Sequence, residues 1–187
     1  DPTYPPERVG HMHADSRAAL GITLSVVLTD LPLLPGGWIT LDDRALIMDV
    51  TRRSAAPITD SDRHAPIHPA TAGYVVYPFR SPGAVEGVVV PHSGLANLRA
   101  ELVDRYGLDT ATRALAFASP SSEAALLELL LAVGAAGTLV VAPAESTGGA
   151  ELAELISGEH ITHAYLTPSV LASLDSEAVA GLRVVIT

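Results

Sequence analysis

From residue 113 onward the chain alternates short apolar runs with helical patterns, and that alternation limits the fold more than any other feature. Residues 113–118, 138–141 and 161–166 read as strands, as does the closing run L-R-V-V-I-T. Residues 150–157 carry an amphipathic helical pattern, and T-P-S-V-L after residue 166 starts another helix. Residues 124–144 are almost wholly apolar and could be taken for a membrane span. Glu128, Gly134 and Gly137 favour instead a buried helix followed by a buried strand. Strands alternating with helices imply an α/β layer with a mainly parallel sheet, flanked by helices.

The first half is less regular. Pro5, Pro6 and Glu7 suit a helix start, because proline is tolerated in the first turn and an acid complements the helix dipole. That helix ends at Asp15 and Ser16. The β-branched residues 22–28 read as a strand, 31–37 as a Pro/Gly connection, 38–41 as a short strand, and 44–50 as a short helix or strand. Residues 51–72 are polar and rich in proline, which predicts a long surface loop. Leu95, Leu98, Leu102 and Tyr106 fall at helical spacing before Gly107, a suitable C-cap.

The chemistry concentrates in residues 74–98, where an apolar run enters a Pro/Gly loop, a β-branched run leaves it, and a helix starts near His92. A strand-loop-strand with a helix start is a common way to present a loop to a small anion. The stretch resembles the phosphate-binding loop of adenylate-forming ligases, specifically the adenylation domains of nonribosomal peptide synthetases. The family pattern is roughly Y-T-S-G-S-T-G-x-P-K-G-V-x-x-x-H-x-x-L-x-N. Tyr77, Ser81, Gly83, Gly87, Val88, His92, Leu95 and Asn97 stand at the matching spacing. Between them Pro78 replaces Thr, Phe79 Ser, Arg80 Gly, Pro82 Thr, Val85 Pro and Glu86 Lys.

Such a loop holds phosphate with backbone N–H groups, hydroxyls and a lysine. Pro78 and Pro82 have no N–H to donate. Arg80 places a side chain where glycine allows close approach, and Glu86 replaces a cation by an anion. A unit charge pair at ~4 Å and an effective dielectric near ~20 is worth roughly 4 kcal/mol, so the reversal is costly. Arg80 is the one group in the loop able to compensate, because guanidinium binds phosphate well. All eleven basic residues of the chain are arginine. The resemblance implies one lysine in the loop and another in a C-terminal subdomain, and these residues supply neither.

The resemblance extends along the chain. D-P-T-Y-P-P-E-R at the start matches D-P-x-Y-P-x-E-R. The run F-A-S-P-S-S-E-A-A-L-L-E from Phe117 to Glu128 matches F-x-S-x-S-F-D-x-x-x-x-E. The family's aspartate holds the substrate α-amino group; Glu123 stands in its place, Ser122 replaces the aromatic, and Leu127 stands where many members carry Trp. Glutamate is one methylene longer, so its carboxylate needs rearrangement to reach the same spot. The chain stops at Thr187, before the family's A-G-E segment. Nothing matches the later Y-G-P-T-E motif, the ribose-binding aspartate or the C-terminal subdomain.

A net charge of −10 argues against nucleic acid or an anionic membrane as partner. Without cysteine there is no disulfide framework and no thiolate metal site, which fits the cytoplasm. The N-terminal residues do not read as a signal peptide. His11 and His13 point to different faces of a helix. Pro66 separates His64 from His68, and His160 and His163 flank a strand start with no third ligand nearby, so no metal site is expected. His92 reads as a framework residue. Ser119, Ser121 and Ser122 lack a G-x-S-x-G elbow and suit loop and cap roles.

The expectation is a single unit over residues 1–187: a partial adenylation-domain N-terminal core, vestigial and catalytically inactive. Its phosphate-loop equivalents Arg80, Ser81, Gly83, Glu86 and Gly87 would bind neither the ATP nor the Mg implied by the resemblance. Its substrate-pocket equivalents are Glu123 and Leu127. It would serve as a spacer or docking platform beside condensation, carrier or tailoring domains, with the carrier protein loaded in trans. Two alternatives stay open: an amino-acid-activating ligase completed by another chain, and a binding module for an MbtH-like or tailoring partner.

Overall fold

The structure, a computed structural model, describes residues 4–77, 86–143 and 146–187. Its centre is a four-stranded parallel sheet of β5 (Arg113–Ala116), β6 (Thr138–Val141), β7 (His163–Tyr165) and β8 (Val184–Ile186), in the order β6-β5-β7-β8. Alternation along β5 builds both faces of this layer. Ala114 packs with Leu102, Leu108, Leu131 and Ala132 on one side, while Leu115 packs with Leu152, Ile156, Ile161 and Leu166 on the other. The first side is covered by α4 (His92–Tyr106) and α5 (Glu123–Val133). The second is covered by α6 (Gly149–Gly158) and by residues around the short α7 (Pro168–Leu171). This is the α/β arrangement with a mainly parallel sheet that the alternation predicts.

Local signals account for several ends. Gly107 closes α4 in the left-handed region at φ 61°, where a side chain would be strained. Ser122 caps α5 by accepting from the Ala124 N–H, as its type suggests. His163 is fully buried; its Nε2 donates to the Tyr106 carbonyl at 3.1 Å and ties the end of α4 to the sheet. A further helix, α8 (Ser176–Ala180), starts where Asp175 accepts from the Ala178 N–H. The sequence reading does not anticipate it.

Ahead of the sheet lie α1 (Pro6–Ser16), β1 (Gly21–Thr23), α2 (Ser25–Leu28), β2 (Trp38–Thr40) and α3 (Arg44–Val50). β1 and β2 pair in parallel. The strand expected over residues 22–28 is therefore wrong after Thr23. Asp42 accepts from the Ser25 N–H at 2.8 Å and from its hydroxyl, which satisfies the start of a helical turn. Residues 51–71 form the expected exposed loop, with one 3-10 turn at Asp60–Asp62. The hairpin strands β3 (Ala72–Val76) and β4 (Val88–Pro91) then pair antiparallel. Among the described residues no helix is long and apolar enough to cross a membrane.

Candidate functional site

A cleft of about 930 Å³ opens where β5 and β6 end, between them and β3. Its walls include Tyr74 and Val76 from the hairpin, Phe117 after β5, Glu123 and Leu126 on α5, and Val141 at the end of β6. The ends of parallel strands suit such a site, because the loops leaving them diverge. Among the described lining residues there is no arginine, lysine or histidine, whereas two carboxylates, Glu123 and Glu128, are present.

These two acids are placed differently. Glu123 is the first residue of α5, behind its Ser122 cap. The Tyr74 phenol lies within its field and is held above its ordinary value, first by burial and then by that negative charge. Glu128 is one turn further along and only 1% exposed. Its carboxylate accepts from the N–H groups of Phe117 at 3.1 Å and Ala118 at 3.0 Å. Burial pushes the Glu128 carboxyl up, and those two N–H groups partly offset it. Glu128 is thus a strut for the segment leaving β5. The sequence marks it only as a polar interruption and as the last letter of a motif. Leu127 does not line the cleft; it packs with the cluster beneath α4. Glu123 and Leu127 are therefore not brought together.

Of the phosphate-loop equivalents, Arg80, Ser81 and Gly83 lie outside the described residues, as do Pro78, Phe79, Pro82 and Val85. Glu86 is exposed where the chain re-enters β4. Gly87 sits against Val75 and Tyr77; a Cβ there would fall 2.8–2.9 Å from their side chains. Its N–H donates to Asp15 Oδ2 at 3.2 Å. Tyr77, 5% exposed, directs its hydroxyl to the same oxygen at 2.8 Å and to the Met12 carbonyl at 2.9 Å. The hydrogen bond from Tyr77, then that from Gly87, holds the Asp15 carboxyl below its ordinary value. Met12 lines the cleft beside them.

The histidines do not assemble. His13 Nε2 donates to the Ala18 carbonyl at 2.7 Å, so it is bonded within the protein rather than solvated. His68 Nδ1 accepts from the Ala70 N–H. Among the described residues no group of three His, Asp or Glu side chains could hold a metal ion.

A family model described as AMP-binding enzyme matches residues 1–186. The chain belongs to that family. The chain is similar along almost its whole length to several curated proteins. It is 37% identical to a probable non-canonical nonribosomal peptide synthetase, CymA of Salinispora arenicola, over 98% of this chain and 2% of that protein. It is 34% identical to the phosphinothricin tripeptide synthetase PhsC of Streptomyces viridochromogenes, over all of this chain and 17% of that one. It is 32% identical to novobiocin biosynthesis protein H of Streptomyces niveus, over all of this chain and 31% of that one. Among solved structures, the AMPPNP-bound nonribosomal peptide synthetase FmoA3 superposes with a TM-score of 0.76 at 26% identity. The match covers 96% of this chain and 19% of that one. The N-terminal subdomain of Klebsiella oxytoca NpsA shares the fold, with a TM-score of 0.71 at 21% identity over 88% of this chain and 40% of that one. The chain thus corresponds to part of an adenylation domain and spans under a third of each of the three relatives.

Proposed function

We propose that this adenylation-domain segment is catalytically silent and acts as a spacer or docking platform within a nonribosomal peptide synthetase, beside a carrier domain loaded in trans. The observation that carries the reading is the charge of the site. The described lining of the cleft holds two carboxylates and no cation, and outside that lining the exposed Glu86 stands where the family pattern has lysine. A nucleotide triphosphate needs positive charge and free donors to leave water. Gly87 does not supply a free donor, because its N–H is taken by Asp15. The described residues of the cleft do not fit ATP, and among the described residues no group of three His, Asp or Glu side chains could hold a Mg²⁺ ion brought in with it.

The test is a calorimetric titration with ATP and Mg²⁺, paired with ATP–pyrophosphate isotope exchange screened across amino acids. The expected result is no saturable heat at millimolar nucleotide and exchange at the level of a protein-free control. Exchange above background with any amino acid would overturn the proposal. One observation favours a second reading, a ligase completed by another chain: Glu123 presents a carboxylate to the cleft beside Tyr74, where a substrate amine could be held. In that reading Arg80 takes over the phosphate contacts, and exchange appears when the remaining parts of an adenylation domain are added in trans.

A further inference from the structure

Tyr77 precedes and Gly87 follows the loop of the hairpin, and both donate to one atom, Asp15 Oδ2. Asp15 lies at the end of α1, separated in sequence from them by 62 and 72 residues. The Tyr77 hydroxyl has one proton and two acceptors, Met12 O and Asp15 Oδ2, so α1 is engaged whichever takes it. Bonds to an ionised acceptor are the stronger kind, and two of them on a single oxygen fix the distance between their donors. Gly87 admits this closure because it has no Cβ; a side chain there would strike Tyr77 and Val75.

We propose that Asp15 is the positioning residue of the hairpin, a staple that sets the span between Tyr77 and Gly87 and fixes α1 to the floor of the cleft. The assignment does not depend on whether the loop binds a nucleotide. It gives the hairpin a fixed base even where the intervening donors have been replaced. It also makes Met12, and so one wall of the cleft, move with the loop ends.

Amide hydrogen exchange in Asp15→Ala and Asp15→Asn tests this. In Asp15→Ala the Gly87 amide is expected to exchange about tenfold faster, while the amides of Ala114 and Leu115 in β5 keep their rates. Asp15→Asn retains an acceptor and should fall between wild type and Asp15→Ala. Spectroscopic titration of the Tyr77 phenol supplies a second readout, in which Asp15→Asn removes the charge while keeping the side chain's bulk and so separates the carboxylate from burial. Desolvation and the Asp15 carboxylate hold it above its ordinary value, and removing the charge should lower it. His11 and Arg17 are the other charges acting on Asp15, and both variants leave them in place. Acceleration spread equally over β5 would show general destabilisation and overturn the proposal, as would an unchanged Gly87 rate. Should Asp15→Ala fail to fold, Tyr77→Phe removes only one of the two donors. It is expected to speed Gly87 exchange by a smaller factor, and no change would count against the staple.

Discussion

Glu128→Ala is expected to cost about 3 kcal/mol of folding stability, read as a lower urea midpoint at unchanged slope. The variant strands the N–H groups of Phe117 and Ala118, which lose an acceptor that is itself only 1% exposed. A buried donor without a partner costs its full desolvation, about 1–3 kcal/mol each, and the truncated side chain leaves a void as well. Glu128→Gln keeps a carbonyl oxygen for these donors and should cost far less. The pair also reports a pH effect of fixed sign. The Glu128 carboxyl titrates above its ordinary value of 4.5 in the folded chain, chiefly through burial. The folded state therefore holds the proton more tightly than the unfolded state. The stabilisation is complete below 4.5 and is lost as pH rises through the folded value. Measured against Glu128→Gln, the wild type should lose ground steadily from pH 4.5 towards neutrality. A gap that stays flat over that range would show that Glu128 titrates alike in both states.

Leu115→Ala is the second large effect, at about 3 kcal/mol by the same denaturation. Leu115 is fully buried in β5, which has a strand on either side, and its side chain packs in one cluster with Leu152 and Ile156 of α6 and with Leu166 just beyond β7. Neighbours held on a helix on one side and on the strand layer on the other cannot all close on the void. Leu115→Met conserves most of the volume and should cost less than half as much.

The parallel sheet was legible because its signals are local. Residues 138–141 and 184–186 are branched runs bounded by helical patterns, and no distant partner is needed to recognise them. Gly107 and Ser122 announce helix ends by type alone. Residues 22–28 misled for the opposite reason. Ser25 starts a helical turn because Asp42, seventeen residues away, satisfies its N–H and hydroxyl. No window of β-branched propensity contains that information. α8 was missed although Asp175 before Ser176 and Glu177 is a reasonable cap signal, because five residues give no periodicity to read.

The candidate site divides the same way. Motif spacing located Glu86, Gly87 and Glu123, and Glu123 does face the cleft. Spacing did not show that Leu127 turns away from it, since that depends on how α5 is rotated against α4. Nor did it show the bonds of Asp15 to Tyr77 and Gly87, which join residues more than sixty positions apart.

The distribution of burial has a thermal consequence. Among the described residues every fully sequestered large side chain comes from residue 112 or later, and none from the elements before β3. Heat capacity of unfolding arises mainly from apolar surface newly exposed to water. The curvature of the melting thermogram is therefore owed to the second half of the chain, and loosening of α1 to α3 would release comparatively little of it.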